Sequence, residues 1–144
     1  MRNLLIPALV ALGVLAGAPA LAADVALPGD VKVVEPSADV PDAIRRFHGT
    51  WEGQWDGKLD HMLIVEKVAA EGSATVVYAW GDYPQWQVSR DWLRTTVTIS
   101  GDEMTMKRGE DNVRYVFRSD GKLGGTYDTG WHRNYGTFVR VVRP

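Results

Sequence analysis

The sequence predicts an all-β protein, an antiparallel up-and-down β-barrel of eight to nine strands with a short N-terminal helix. The first observation is a period-two pattern after Phe47, in which, for example, Met104 and Met106 alternate with Thr105 and Lys107. Second, turn residues rich in glycine and aspartate mostly recur at about the 8 to 12 residue spacing of consecutive short strands. Third, no connection is long enough for a crossover. Closing the sheet into a barrel removes its edges, and a two-sheet sandwich is the alternative.

Each predicted strand lies between two of these turn signals. Because every connection is short, strands that are neighbours in the sequence should pair as hairpins. A barrel of this size either fills its interior with side chains or holds one small ligand. The predicted strands are approximately residues 48–56, 59–68, 74–80, 85–89, 92–99, 103–108, 112–118, 122–128 and 133–142.

The N-terminal end divides the chain into three parts. Residues 1–22 have a short positive start, an apolar run and the small-residue site Ala20-Leu21-Ala22, which together predict a cleaved signal peptide. A retained N-terminal anchor is the alternative. Residues 23–38 should be an extended segment, and residues 39–144 the barrel domain. The expected location is therefore the periplasm or the outside of the cell.

A short helix is predicted just before the first strand. Ser37 or Asp39 could cap it, and Pro41 suits its first position. Ile44 and Phe47 would then share one side of the helix. One or two turns are expected at most.

The second strand is apolar on both faces from Met62 to Val65, which is unusual for a half-buried strand. Either the N-terminal segment or another subunit must cover its outer face. The N-terminal segment is favoured, because Val33, Val34, Ile44 and Phe47 need an apolar environment.

Several function classes find no support. The chain has no cysteine, which excludes disulfides and a lipoprotein anchor. A net charge of −2, a pI near 5.9 and the lack of a basic run argue against nucleic-acid binding. No nucleophile motif, phosphate-binding loop or histidine pair with metal-ligand spacing is present, so neither an enzyme nor a metal site is expected.

The stretch from Phe47 to Gly57, FHGTWEGQWDG, defines the first strand. Gly49, Trp51, Gly53 and Trp55 share one parity, so both indoles should face inward while the polar residues between them face solvent. Gly53 would relieve crowding or let a neighbour approach closely. Trp51 is expected to plug the closed end of the barrel.

This stretch resembles the lipocalin and wider calycin pattern, in which a short helix precedes a G-x-W motif on the first strand, here Gly49-Thr50-Trp51. The resemblance implies a tryptophan at the barrel floor, covered by an arginine from the final strand. Arg140 or Arg143 would take that place here, with a cation–π contact as the physical reason. The strings HGTWEGQWDG, LDHMLIVEKV and VVYAWGD are also similar to small secreted bacterial lipocalin-like domains.

Gly49-x-Trp51-x-Gly53 also resembles the G-x-W-x-G-x-G signature of nitrobindin-like haem barrels, with Trp55 at the third glycine. This resemblance implies haem as a cofactor, held by a histidine near the C-terminus. His132 would be that ligand. An exposed loop histidine is the alternative interpretation of His132.

The aromatic residues are the clearest indication of function, because rings at a barrel mouth stack on planar ligands. His61 has inward parity and could face a ligand, or it could lie at the rim or bond to a strand neighbour. The expected function is binding of a small apolar or aromatic molecule, without catalysis. An interaction domain with a filled core and a protein partner is the alternative. The predicted ligand-facing residues are Trp55, His61, Tyr78, Trp80, Trp86 and Tyr115.

Overall fold

The structure is a computed structural model that describes residues 23–142, so the predicted signal peptide and Arg143 lie outside the described residues. Eight strands form a closed antiparallel barrel, in which each strand pairs with its sequence neighbours and the last pairs with the first. This confirms the up-and-down barrel and excludes the sandwich. The strands are β1 (Gly49–Trp55), β2 (Leu59–Val68), β3 (Ser73–Trp80), β4 (Asp91–Ser100), β5 (Glu103–Arg108), β6 (Asp111–Phe117), β7 (Leu123–Asp128) and β8 (Arg133–Val141).

The ninth strand, predicted at 85–89, is not formed. A 3₁₀ helix at Pro84–Trp86 takes its place, followed by Gln87 in the left-handed region at φ 55°. Proline has no N–H for a strand ladder, and the left-handed residue reverses the chain. A single bridge between Tyr83 and Val88 closes this loop, and β3 pairs directly with β4.

The predicted short helix is α1 (Asp42–Arg45), and it lies at the closed end of the barrel. Neither Ser37 nor Asp39 caps it; the two side chains bond to each other instead. Just after the helix, Phe47 is completely buried and meets the ring of Phe117 edge-on at 5.7 Å. No helix of residues 23–142 is long and apolar enough to cross a membrane.

Residues 23–34, called the N-terminal strap below, cover the outer face of β2 and β3. Ala23, Val25 and Val31 pack there, which confirms the cover predicted for β2. The residues that form the cover are not the ones expected. Val33 and Val34 were expected to pack there, but they are 41% and 40% exposed. The strand residues beneath the strap are Met62, Ile64, Val77 and Ala79.

Charged groups hold the N-terminal strap in place. Arg94 on β4 bonds both to Asp30 of the strap and to Glu66 of β2, at 3.0 and 2.9 Å. Arg90 reaches Asp24 at 3.0 Å. The main chain adds a bond from Val34 N–H to the Glu66 carbonyl at 2.7 Å. Arg94 of β4 and Arg90 just before it therefore fasten the strap over the apolar strand.

Three inward-facing glycines surround the ring of Phe138, which is completely buried. A Cβ atom at Gly53, Gly125 or Gly136 would lie 2.5 Å from a carbon of that ring. Because these three positions lack a Cβ atom, the ring of Phe138 fits between them in the middle of the barrel. This is the physical role of Gly53 between the two tryptophans of β1.

Candidate functional site

The closed end of the barrel holds Trp51 and Arg140, which are opposite each other on paired strands. The Arg140 guanidinium carbon lies 4.3 Å from the Trp51 ring centre, a cation–π contact. Arg140 also donates to two main-chain carbonyls in the turn between α1 and β1. The Trp51 indole donates to the Phe47 carbonyl at 2.9 Å. The side-chain hydrogen bonds of this pair therefore all go to main-chain carbonyls before β1, and they stabilise the closed end.

Gly49 belongs to the same arrangement. Its φ of 112° is a backbone conformation that residues with a side chain rarely adopt. A Cβ atom there would lie 2.9 Å from Arg140 Nη1. The glycine of the G-x-W motif thus leaves space for the arginine that covers the tryptophan.

His61 and Tyr115 lie one layer higher, completely buried inside the barrel. His61 Nδ1 is 2.7 Å from the Ala79 carbonyl, which can only accept, so Nδ1 carries the proton. Nε2 then accepts from the Tyr115 hydroxyl at 2.7 Å. Burial lowers the pKa of His61 to about 3, so the imidazole is neutral at physiological pH.

Aromatic rings surround this imidazole. Trp55 stacks on His61 at 5.4 Å between ring centres, and Tyr78 lies at 4.2 Å. Phe138 meets His61 edge-on at 5.1 Å. His61 and Tyr115 do not line the cavity described next; they form the layer on which it rests.

A cavity of about 200 Å³ lies at the open end of the barrel. Four of the six residues predicted to face a ligand line it: Trp55, Tyr78, Trp80 and Trp86. The loop between β3 and β4 brings Trp86 and Val88 over the cavity, so this loop forms part of its wall. The cavity is therefore walled mainly by rings and apolar side chains.

The indole N–H of Trp55 is unsatisfied. Trp55 is only 2% exposed, and its Nε1 has no hydrogen-bond partner. The Tyr78 hydroxyl lies near it, and the indole N–H partly offsets the rise that burial causes in the pKa of that hydroxyl. Nε1 itself has almost no accessible surface, so it lies within the packed wall and does not open onto the cavity.

Arg108 is the cation of this site. Its guanidinium carbon lies 4.2 Å from the Trp80 ring centre and 5.6 Å from that of Tyr78. Its one hydrogen bond to the described residues is a long contact, 3.5 Å, to the Tyr127 hydroxyl. The same Tyr127 hydroxyl donates a hydrogen bond to Asp111 at 2.7 Å. Arg108 forms no salt bridge with any carboxylate of residues 23–142.

Arg108 was not among the predicted ligand-facing residues, although the alternation of β5 indicates its orientation. Met104 and Met106 face inward, and Arg108 is the next residue of the same parity. A charged residue before Gly109 is also typical of a solvated turn. The other cavity residues that were not predicted are Leu59, Val88, Tyr127 and Asn134.

His132 lies in the exposed turn between β7 and β8, where its Nε2 is 3.3 Å from Asn134 Nδ2. Trp131 beside it is 99% exposed and takes no part in the cavity. A porphyrin is a macrocycle of four pyrrole rings joined by methine bridges, whereas about 200 Å³ suits a single ring with substituents. The cavity therefore does not fit haem beside His132.

A second, larger concave region of about 910 Å³ lies on the outer face of β1 and β8. Exposed side chains such as Tyr135 and Val139 form its walls. Neither of the unpartnered buried nitrogens of the described residues, His48 Nε2 and Trp55 Nε1, belongs to its lining. The cavity inside the barrel is therefore the better candidate site.

Comparison with known proteins leaves the family open: no protein-family model and no curated protein matches the chain. The eight-stranded antiparallel barrel is consistent with a calycin or lipocalin-like architecture. Within residues 23–142, no cluster of three or more histidine or acidic side chains could hold a metal ion.

Proposed function

We propose that this protein is a secreted lipocalin-like binding protein that holds one small apolar or aromatic molecule in the cavity at the open end of its barrel. The observation that carries the proposal is a cavity of about 200 Å³ walled by five aromatic side chains, with the guanidinium of Arg108 beside them. Aromatic walls of this kind offer stacking contacts to a flat apolar molecule.

The size and walls of the cavity support a single-ring ligand. Apolar protein cavities of about 150 Å³ bind benzene, so about 200 Å³ leaves room for a ring and one substituent. Tyr78, Trp80 and Trp86 offer ring faces and edges for stacking. Such contacts are worth about 0.5 to 1.5 kcal/mol each beyond the burial of apolar area.

The layer beneath the cavity supports binding by a preformed site. His61, Tyr115 and Phe138 are completely buried and in mutual ring contact. A rigid floor of this kind loses little conformational entropy when a ligand arrives. Dissociation constants in the micromolar range, equivalent to about 8 kcal/mol, are expected for a ligand of this size.

The direct test is native mass spectrometry of the protein purified from its own source, together with an absorbance spectrum. A reproducible added mass of one small molecule is expected. An intense visible absorbance band lost in His132→Ala would establish the haem alternative instead. A clean apo mass, together with no binding in the titration below, would contradict the proposal and favour an interaction domain with a protein partner.

A titration locates the site. The six indole N–H resonances are followed by NMR while single-ring aromatic compounds, both neutral and charged, are added. The Trp55 resonance should shift, and that of Trp131 should not. Val88→Phe places a ring in the cavity and should abolish the shift. Val139→Phe, on the outer face, is the matched control and should bind like wild type.

A further inference from the structure

The charge along the cavity wall is uneven. Most of its wall is aromatic and neutral, while half-buried Arg108 brings a full positive charge. Arg108 follows the inward-facing Met104 and Met106 on β5, so its stem points along the barrel interior. An inward-facing arginine without a carboxylate partner is unusual, because arginines near protein interiors are normally paired.

No neighbouring carboxylate of residues 23–142 bonds directly to Arg108. Of the nearby carboxylates, Asp111 accepts from Tyr127 at 2.7 Å, and Asp56 accepts from Asn134 at 2.6 Å and from a main-chain N–H at 2.9 Å. A second cation, Lys58, lies 5.8 Å from the ring centre of Trp86. Asp111 is opposite Arg108 across β5 and β6, and both acids keep their negative charge. Neither forms a salt bridge with Arg108, so its guanidinium N–H groups remain available to a ligand carboxylate.

The guanidinium is also held in position. Its central carbon lies 4.2 Å from the Trp80 ring centre, a cation–π contact. Trp80 is itself fixed, because its indole donates to the Ser89 carbonyl at 2.9 Å. The planar fork of arginine matches the two oxygens of a carboxylate, so a preoriented guanidinium favours that group.

We propose that the ligand is an aromatic carboxylate, with its ring among Trp55, Tyr78 and Trp86 and its carboxylate on Arg108. This inference rests on the proposed function and deepens it, since it names the chemical class that the cavity accepts. The cavity volume of about 200 Å³ limits the ring system to one ring, as in benzoate.

Calorimetric titration of the purified protein with benzoate and with benzamide, its neutral analogue of nearly equal shape, tests the inference. Benzoate should bind at least about tenfold more tightly than benzamide, and added salt should reduce that preference. Cyclohexanecarboxylate keeps the charge but loses the flat ring, and it should bind more weakly than benzoate.

Arg108→Gln should lower benzoate affinity about 10- to 100-fold and should lower benzamide affinity much less, because the amide loses a hydrogen bond but no ion pair. Lys107→Gln is the matched control: it removes the same charge from the adjacent, outward-facing position of β5 and should bind benzoate like wild type. Arg108→Lys keeps the charge without the fork and should fall between. If Arg108→Gln does not fold, the wild-type preference and its salt dependence decide.

Two results would overturn the inference, and they differ in what they leave standing. Equal affinity for benzoate and benzamide in the wild type would remove the role of Arg108 while the aromatic binding protein remained. If no single-ring compound of either charge bound, the proposed function would fail as well.

Discussion

The imidazole of His61 and the hydroxyl of Tyr115 are 2.7 Å apart and join opposite walls of the barrel. His61 is on β2 and Tyr115 on β6, four strands away in a closed order of eight. Their hydrogen bond therefore crosses the interior and closes the space beneath the cavity. Removing or charging either group should alter both stability and the floor of the site.

Acid should destabilise the protein through His61. Its pKa is about 3 in the folded state, against about 6.5 when unfolded, so below pH 6.5 only the unfolded chain gains this proton. The free energy of unfolding should fall by about 2 kcal/mol between pH 7 and pH 5. Urea denaturation across this range measures it. His61→Gln should flatten the dependence, whereas exposed His132→Gln should retain it; equal slopes in all three proteins would refute the assignment.

Tyr115→Phe should destabilise the fold without changing its shape. The substitution leaves Nε2 of His61 buried and without a donor, at a cost of about 1 to 3 kcal/mol. Tyr135→Phe removes the same hydroxyl from a residue that is 57% exposed, and it should stay within about 0.5 kcal/mol of wild type. Chemical denaturation of both variants gives the comparison, and equal stabilities would argue against the buried bond.

Trp51→Ala should cost about 3 to 5 kcal/mol, because it empties a completely buried ring position beneath Arg140. Thermal unfolding followed by circular dichroism measures the loss. Trp131→Ala is the matched control, since that indole is fully in solvent. If the Trp51 variant melts at the wild-type temperature, its structural role at the closed end is wrong.

Two adjacent glycines on β7 should respond oppositely to alanine. Gly125→Ala places a methyl group 2.5 Å from the Phe138 ring and should cost about 1 to 3 kcal/mol through overpacking. Gly124→Ala points outward, with its nearest neighbour at the ordinary distance of 3.5 Å, and should be neutral or slightly stabilising. Denaturant midpoints of the pair test this, and a harmless Gly125→Ala would show that Phe138 moves freely.

Period-two alternation was sufficient to predict most strands, because each of them has one apolar and one polar face. It failed at 85–89, where the short stretch around Pro84 and Gln87 has strand-like spacing but a backbone that cannot join a ladder. The cap of α1 was also mispredicted. Ser37 and Asp39 have the right chemistry, but they bond to each other.

The predicted ligand-facing residues lie at two depths in the barrel. Alternation along a strand shows that a side chain faces inward, but not how deep it lies. Trp55, Tyr78, Trp80 and Trp86 line the cavity, while His61 and Tyr115 have the same inward parity but lie below it. Arg108 was missed for a related reason. A charged residue next to a glycine is usually a solvated turn residue, and only its pairing on β5 shows that it faces inward.

The sequence by itself determined that this chain forms a meander of amphipathic strands, that Trp51 and Trp55 face inward, and that an apolar β2 needs a cover. These properties follow from local alternation, which depends only on near neighbours in the chain. Tertiary structure decided where the interior is full and where it is open. That depends on which rings from distant strands meet at one height: Phe138 among three glycines, His61 on Tyr115, and Arg108 over Trp80 beside an indole N–H that has no partner.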